Sequence, residues 1–400
     1  MTKCDVLIVG AGPAGTVAGA ILARAGVRVR IVDRATFPRD KLCGDTINPG
    51  ALAILRRLGL GCDIERSGLP VAGMRVTGDG VAIEGRYPAG MYGFAILRRD
   101  LDALLLNDAI AGGCEFDANV QVQGAVVHEA GRVRSVSGVS VVGRGSAPTL
   151  SAPVTIAADG RRSAITFGLG LAHHPERPRR WAIGAYFENF LPNGVRSRIR
   201  DDFATVRVRP VCTGEMHVRR GRYIGVADLP DGLTNVCLVK PSGPGDVALR
   251  DPAALLKREL ARDPMLRDRA AGARLAAPPV VLGPLAVDVR SEAINGLLLA
   301  GDAAGFIDPM TGDGLRFAIR GGELAAGAAL HALQSGWTGV HAALDRERRR
   351  AFGGKWRFNR ALRALVASPR AVDAAAVGAR AVPALLRAVI ARAGDCDVAS

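Results

Sequence analysis

Six residues near the N-terminus have the spacing of a dinucleotide-binding turn. Gly10-Ala11-Gly12-Pro13-Ala14-Gly15 follows an apolar run, DVLIVG, and precedes a segment with helical periodicity, residues 13–25. In a G-x-G-x-x-G turn the first glycine permits the tight turn, the second lets backbone amides approach a pyrophosphate, and the third lets helix and strand pack closely. The phosphates would lie at the helix N-terminus, where unpaired N–H groups and the helix dipole favour an anion.

An acidic residue stands where the ribose of such a nucleotide would lie. Asp33 ends the next apolar run, residues 27–33, which reads as a strand. Its carboxylate could accept hydrogen bonds from a ribose 2′-hydroxyl and would repel the 2′-phosphate of NADP. We therefore predict that this βαβ unit binds a dinucleotide, with Asp33 and the adjacent Arg34 in the site.

A second glycine-rich turn decides between NAD and FAD. Residues 297–315, LLLAGDAAGFIDPMTGDGL, read as a buried strand, a Gly-Asp pair and a turn that opens a helix at about Gly314. The aspartate would suit a ribityl hydroxyl, and amides at the helix start would stabilise negative charge at the N1/O2 end of a reduced flavin. The pattern favours FAD, and a structural strand–turn–helix with a surface aspartate is the alternative. The predicted site residues here are Gly301, Asp302, Pro309, Gly312, Gly314 and Leu315.

Three separated elements together resemble the para-hydroxybenzoate hydroxylase-type flavoprotein superfamily. They are Gly10–Gly15, Ala158-Asp159-Gly160 at the end of a predicted strand, and Gly301-Asp302. The superfamily includes hydroxylase-like monooxygenases, flavin halogenases and geranylgeranyl reductases. The resemblance implies that Asp159 and Gly160 lie near the pyrophosphate and that Asp302 contacts the ribityl chain. It also implies that Arg98 helps to hold the FAD phosphates, with an ordinary arginine at a helix start as the alternative.

Two further segments are similar to those of geranylgeranyl reductases. Residues 37–52, FPRDKLCGDTINPGAL, resemble that family's P-x-x-x-x-C-G segment through Pro38, Cys43 and Gly44. Residues 308–315, DPMTGDGL, are similar to its D-P-x-T-G-x-G turn. The W-x-W-x-I-P segment expected of tryptophan halogenases is absent from the sequence. The chain is thus identified as a member of the geranylgeranyl reductase-like family of FAD-dependent oxidoreductases.

The sequence also departs from that family at two places. Prenyl reductases usually carry a Y-x-W-x-F-P segment that lines the lipid cavity, and its nearest counterpart, 223–230 (YIGVADLP), lacks the tryptophan and phenylalanine. The second family glycine after Cys43-Gly44 is replaced by Asp45. Both changes leave open whether the substrate is a geranylgeranyl group.

The resemblance implies reduction of carbon–carbon double bonds in a hydrophobic isoprenoid or natural-product substrate. Cys43, placed beside the isoalloxazine, would be the catalytic residue and a cofactor contact, either donating a proton or shaping the pocket. A buried cysteine that acts as a small hydrophobe is the alternative. Monooxygenation of a hydrophobic or aromatic natural product is the alternative function, and halogenation a lesser one. Since no second G-x-G-x-x-G exists, electrons would come from NAD(P)H that docks transiently or from a separate flavin or ferredoxin reductase.

The elements between these motifs predict an α/β fold. We expect a Rossmann-type FAD-binding domain of the glutathione reductase/hydroxylase type, with an inserted mixed β-sheet substrate domain and a helical C-terminus. Strands are expected within 72–157 and 181–240, and helices at 252–262 and 314–334, with later breaks at Pro369 and Pro383. The predicted domains are the FAD-binding domain (1–75, 97–175 and 285–335), the substrate domain (76–96 and 176–284) and the C-terminal helical segment (336–400).

Composition argues against several other classes of function. The chain of 400 residues carries a formal charge of +15, but its arginines are scattered without basic runs interleaved with aromatics, so nucleic-acid binding is not expected. The seven cysteines contain no C-x-x-C pair and the six histidines lack ligand spacing, so we expect neither disulfides nor a metal site. The expected partners are a hydrophobic or lipid substrate and a possible redox protein. We predict a cytoplasmic protein with at most peripheral contact with the inner membrane face, where residues 371–393 could lie on anionic lipid or cap the cavity.

Overall fold

The computed structural model of the chain describes residues 4–396 apart from 79–81, 131–132, 143–147, 177–178, 193–196, 201–207, 244, 308–309, 311, 368–369, 372–373, 376 and 379–382. The strands are β1 Val6–Val9, β2 Val29–Val32, β3 Thr46–Ile47, β4 Leu69–Thr77, β5 Ala82–Arg86, β6 Gly93–Ala95, β7 Glu115–Asp117, β8 Val122–Ala130, β9 Val133–Val141, β10 Thr149–Ser151, β11 Val154–Ala157, β12 Ala172–His173, β13 Arg180–Glu188, β14 Ser197–Arg200, β15 Val208–Arg219, β16 Arg222–Asp228, β17 Leu233–Pro241, β18 Arg274–Leu275, β19 Val280–Leu282, β20 Asp288–Val289 and β21 Leu297–Leu299. The helices are α1 Pro13–Arg24, α2 Pro49–Arg57, α3 Gly61–Ser67, α4 Arg98–Ala111, α5 Ala164–Gly168, α6 Pro252–Arg262, α7 Arg267–Ala270, α8 Gly314–Ser335, α9 Val340–Ala367 and α10 Pro383–Ala393, with 3₁₀ turns at Pro230–Gly232, Val247–Arg250 and Gly301–Ala304.

A five-stranded parallel sheet, in the order β21-β11-β1-β2-β7, forms the first layer. All four residues of β1 are buried, because both faces of the sheet are covered. On one face, Val6 and Ile8 pack with alanines of α1 and α8. On the other, Leu7 and Val9 pack with the antiparallel sheet β10-β9-β8.

Parallel pairing brings four distant segments to one edge of this sheet. Gly10 follows β1, Asp33 follows β2, Asp159 lies just beyond β11, and Gly301 just beyond β21. Because these strands run in the same direction as neighbours, their carboxyl ends meet at the same edge. Open α/β sheets bind their ligands at such an edge.

The second large sheet has eleven strands, in the order β18-β13-β17-β16-β15-β4-β6-β3, with β5, β14 and β19 attached at its sides. Alternate residues of its strands face opposite sides. On one face, Ile183 and Phe187 of β13 pack against Leu255 and Leu256 of α6. On the other face, Ala182 packs with Tyr223 of β16, Val239 of β17 and Phe306, which follows the 3₁₀ turn Gly301–Ala304.

The predicted fold class is confirmed. The predicted helix 252–262 is α6, and the predicted helix 314–334 is α8. The domain boundaries stay a prediction. They assign β3 and the N-terminal part of β4 to the FAD-binding domain, whereas both strands pair into the second sheet. This membership depends on pairing of β4 with the distant β15, which no local pattern reveals.

Two helices complete the described C-terminal part. Helix α9 packs on α8, where Phe352 and Phe317 meet edge to face with ring centroids 5.1 Å apart. Helix α10 begins at Pro383, as the sequence predicts, whereas the break at Pro369 lies outside the described residues. None of the helices in the described part of the chain is long and apolar enough to cross a membrane.

The contact between α1 and α8 gives the first prediction, for two glycines of the same helix. A methyl group added at Gly322 would lie 2.3 Å from the carbonyl oxygen of Ala14, whereas one added at Gly327 meets nothing within 4 Å. We expect Gly322→Ala to lower the free energy of unfolding by about 1–3 kcal/mol through overpacking. Gly327→Ala should raise it by up to about 1 kcal/mol through helix propensity. Thermal unfolding of both variants checks this, and equal shifts would contradict the packing.

Candidate functional site

One cavity of about 450 Å³ lies between the edge of the parallel sheet and the second sheet. Its volume falls within the range of about 300–1,000 Å³ that is usual for ligand sites. The cavity joins residues from all the predicted segments. The predicted site residues that line it are Gly10, Gly12, Pro13, Ala14, Asp33, Arg34, Cys43, Gly44, Arg98, Asp159, Gly160, Gly301, Asp302, Gly312, Gly314 and Leu315.

Two predicted residues are not among the lining. Gly15 packs inside the turn instead, since a methyl group there would lie 1.9 Å from the carbonyl oxygen of Gly10. This matches the helix–strand packing that the third glycine is expected to permit. Pro309 lies outside the described residues, so its predicted contact stays a prediction.

The first glycine turn is shaped to receive an anion. Gly10 has φ +104° and a methyl group there would lie 2.4 Å from the carbonyl oxygen of Ala158, so only glycine fits. Gly12 is the N-cap of α1 and makes no side-chain cap. Because Pro13 carries no N–H, Ala14 offers the first amide of α1 to a phosphate beside the cavity.

Asp33 fastens this turn to the end of β2. Its Oδ2 accepts a hydrogen bond from the Ala11 N–H at 2.8 Å, and its Oδ1 accepts one from the Ala35 N–H at 2.9 Å. The carboxylate thus orders the turn while lining the cavity. Its predicted contact with an adenosine ribose stays a prediction.

Asp159 carries a buried oxygen that no described residue satisfies. Its Oδ2 accepts from the Ala164 N–H at 2.9 Å, at the start of α5, but its Oδ1 is buried without a partner. Burial raises the pKa of this carboxyl. Since an unsatisfied buried acceptor costs about 1–3 kcal/mol, the position fits a ligand that brings a hydroxyl donor.

Lys41 and Arg161, which the sequence analysis did not assign to the site, line the cavity together with Asp302 and the predicted Arg98. Burial raises the pKa of the Asp302 carboxyl, and the charges of Lys41, Arg98 and Arg161 oppose that shift. Burial and the charge of Arg98 lower the pKa of Lys41, and burial lowers the pKa of Arg161 to about 10. Cations so crowded are stabilised by a bound anion, which fits a pyrophosphate.

Arg98 is held by an acid of its own helix. Its Nε and Nη2 donate to the two oxygens of Asp102, each at 2.8 Å, and Asp102 also lies 3.2 Å from Arg39. The charge of Arg98 also lowers the pKa of the nearby Cys43 thiol, against the larger effect of burial. The predicted contact of Arg98 with FAD phosphates stays a prediction, but its guanidinium is fixed at the cavity wall.

The segment from Cys43 to Asp45 ties the cavity wall to the second sheet. Asn235 of β17 donates its Nδ2 to the Cys43 carbonyl at 2.8 Å and to the Asp45 carboxylate, which also accepts the Arg98 N–H at 3.1 Å and a bond from Tyr186. Asp45 has φ +52°, a conformation that a glycine would adopt without strain. Burial raises the pKa of Asp45 to about 7 and also raises the pKa of the Cys43 thiol. No sequence motif pointed to Asn235 or Tyr186.

The opposite wall of the cavity is apolar over part of its area, although Glu215 and Asn235 of the second sheet also line the cavity. Ala182, Val239 and Met310 belong to one buried hydrophobic cluster there. Gly225 and Ala227 also line the cavity, in the segment where the Y-x-W-x-F-P pattern carries aromatic side chains. A methyl group added at Gly225 would have no neighbour closer than 3.9 Å, so these two residues leave room beside the wall.

Metal ligation has no site in the described part of the chain, where no group of three or more His, Cys, Asp or Glu side chains could hold an ion. The cavity is lined by glycine turns, cations and carboxylates. These features together fit a dinucleotide with hydroxyl groups and a pyrophosphate.

Comparisons with known proteins agree with this geometry. Residues 3–200 match the family model described as FAD binding domain. Menaquinone reductase of Mycolicibacterium smegmatis is 32% identical over 331 residues, which cover 81% of this chain and 76% of that protein. Digeranylgeranylglycerophospholipid reductase of Methanothrix thermoacetophila is 26% identical, over 87% of this chain and 83% of that protein.

Solved structures share the fold. A flavin-dependent brominase, Bmp2, superimposes with a TM-score of 0.79 at 21% identity, covering 99% of this chain and 94% of that one. This likeness shows the architecture of the chain. The sequence relatives and the family model show that the chain belongs to the geranylgeranyl reductase-like family of FAD-dependent oxidoreductases and that its cofactor is FAD.

The raised pKa of Cys43 gives a prediction for thiol labelling. The thiolate is the reactive form, so the rate of Cys43 alkylation by iodoacetamide in apoprotein should rise about tenfold per pH unit up to and beyond pH 9. FAD should slow that labelling, because Cys43 lines the cavity. The exposed Cys62 is the matched control and should react alike with and without FAD. Peptide mass spectrometry measures labelling at both cysteines. A Cys43 labelling rate that is the same with and without FAD would place Cys43 away from the cofactor.

Proposed function

We propose that this FAD-dependent oxidoreductase reduces carbon–carbon double bonds of a hydrophobic isoprenoid or natural-product substrate. The observation that carries the proposal is a single cavity with dinucleotide-binding turns on one wall, an apolar sheet face on the other and Cys43 in its lining. When bound there, FAD supplies hydride-transfer chemistry. The relatives named menaquinone reductase and digeranylgeranylglycerophospholipid reductase support it, because both named molecules carry isoprenoid chains.

In this proposal the two glycine turns hold different parts of the cofactor. The amides at the start of α1 and Gly160 would receive the pyrophosphate, close to the cations around Asp302. Asp159, whose Oδ1 is unsatisfied, would lie near the pyrophosphate, and the carboxylate of Asp302 would accept hydrogen bonds from ribityl hydroxyls. Gly312 and Gly314 would present amides to the ring carbonyl.

We propose Cys43 as the proton donor of the reaction. Reduction of a double bond needs a hydride at one carbon and a proton at the other, from controlled directions. Because the pKa of Cys43 is raised by burial, its thiol holds a proton at neutral pH. The neighbouring Arg98 guanidinium would stabilise the thiolate left after donation.

The walls of the cavity also support a proposal for the substrate. The cluster of Ala182, Tyr223, Val239, Leu285 and Met310 suits an apolar chain, and the small Gly225 and Ala227 suit added bulk. We propose that electrons arrive from NAD(P)H or from a separate flavin or ferredoxin reductase. A substrate of this kind would be met in the cytoplasm or at the inner membrane face, with at most peripheral contact.

Product analysis tests the proposal directly. The holoprotein would be reduced chemically and given a panel of prenylated quinones and polyprenyl lipids, once anaerobically and once with heavy-oxygen gas. We expect products that gain two hydrogens and no labelled oxygen, formed equally well without oxygen. A product that gains one labelled oxygen would replace the proposal with monooxygenation, which the same FAD scaffold could perform.

A Cys43→Ser variant tests the proton donor. Because serine is nearly the same size as cysteine, folding and FAD binding should survive. Serine is a far weaker acid, so it should donate a proton poorly. Reoxidation of the reduced flavin by substrate should slow by about 10² to 10⁴, while reduction of the flavin stays unchanged. Stopped-flow absorbance separates the two half-reactions, with Cys62→Ser as the control. Reoxidation of Cys43→Ser at the wild-type rate would leave Cys43 only a role in pocket shape.

A further inference from the structure

We infer that Lys355 is a positioning residue that keeps the N-terminus of α8 open toward the flavin by holding the Asp313 carboxylate away from it. The inference deepens the proposed function, because it takes the flavin ring to lie at the turn of Gly312 and Gly314. It concerns a residue of α9, far along the chain from every glycine turn. The sequence motifs give no reason to assign Lys355 to the site.

Asp313 occupies the N-cap position of α8 but does not cap the helix. An N-cap aspartate normally accepts hydrogen bonds from the amides two or three residues on. Here the side chain makes no such bond. Its Oδ1 instead accepts from Asn48 Nδ2 at 3.2 Å and lies 3.1 Å from Lys355 Nζ, and its Oδ2 accepts from Asn359 Nδ2 at 3.0 Å.

The consequence is an uncapped helix start beside the cavity. Helix α8 has 22 residues and begins at Gly314, and Gly314 and Leu315 line the cavity. Backbone N–H groups at a helix start carry partial positive charge and favour negative charge nearby. With the Asp313 carboxylate turned toward Lys355, these groups stay available to a ring carbonyl whose negative charge grows on reduction.

Lys355 is suited to hold that carboxylate because the rest of the chain fixes its ammonium group. Lys355 is 3% exposed, and its Nζ donates to the carbonyls of Arg392 and Ala393 at 2.6 and 2.7 Å. It also lies 3.4 Å from Asp395, whose other oxygen is 3.1 Å from Arg316 of α8. Two cations and two anions thus balance in a buried network that links α9 and the end of α10 to the start of α8.

If Lys355 only held the C-terminal helices in place, a different effect on the flavin would be expected. Its loss would then loosen these helices and leave the electronic properties of the bound flavin unchanged. Loss of the Lys355 charge would leave the Asp313 carboxylate unneutralised beside the ring and free to turn back to the amides of α8. Negative charge on the reduced flavin would then be disfavoured. The reduction potential of the bound flavin therefore distinguishes the two roles.

The test uses Lys355→Met, with Lys355→Arg as the conservative variant and Lys257→Met, an exposed lysine of α6, as the matched control. We expect Lys355→Met to bind FAD about ten- to a hundredfold more weakly, the loss expected for a charge-assisted hydrogen bond, and to give a more negative reduction potential. Lys355→Arg should recover most of both values, and Lys257→Met should match the wild type. Titration of apoprotein with FAD and spectroelectrochemical titration of the holoprotein measure them.

A second variant keeps the inference decidable if Lys355→Met does not fold. Asp313→Asn removes the carboxylate charge while Lys355 remains, so the reduction potential should become more positive than that of the wild type. Unchanged potentials in Asp313→Asn, or in a folded Lys355→Met protein, would overturn the inference. Neither measurement uses a substrate, so such a failure leaves double-bond reduction standing. Labelled oxygen in the product, in contrast, would overturn the proposed reaction without affecting the potentials.

Discussion

Parallel pairing of β1 with β2 on one side and with β11 on the other is the constraint on which the site depends. Register fixes Val9 opposite Val32 and Ala157, so the residues that follow these strands emerge together. The turn after β1 can approach β11 closely only because Gly10 has no side chain, since a Cβ would collide with the Ala158 carbonyl. A shift of one residue in either pairing would separate the carboxylates of Asp33 and Asp159 from the glycine turn they serve.

Residues whose role depends on neighbours in sequence could be predicted, and residues whose role depends on distant pairing could not. The glycine turns, α6 and α8 are encoded by local periodicity and by turn residues, and the structure has them within one or two positions. Asn235 reaches Cys43 only because β17 lies in a sheet that passes beside residues 43–45. Its partner strands are set by long-range pairing, including the parallel pair of β15 and β4, which leaves no local pattern.

The two departures from the family pattern have different physical meanings. Asp45 stands at φ +52°, where glycine costs nothing, and the chain compensates for the aspartate with bonds from Asn235, Tyr186 and the Arg98 N–H. The substitution therefore exchanges backbone freedom for a rigid link between the Cys43 segment and the sheet. Gly225 and Ala227 act in the opposite sense, because they remove bulk from the cavity wall without adding a bond.

Electrostatic balance connects these local features. The half-buried carboxyl groups of Asp302 and Asp159 have raised pKa values, and the half-buried Lys41 and the buried Arg161 have lowered ones. Both shifts mean that desolvation outweighs the pairing available within the protein alone. A ligand that brings hydroxyl donors to the acids and a doubly charged pyrophosphate to the cations would relieve both groups at once. The acids and cations beside the glycine turns therefore suit a polar, anionic cofactor better than an apolar one.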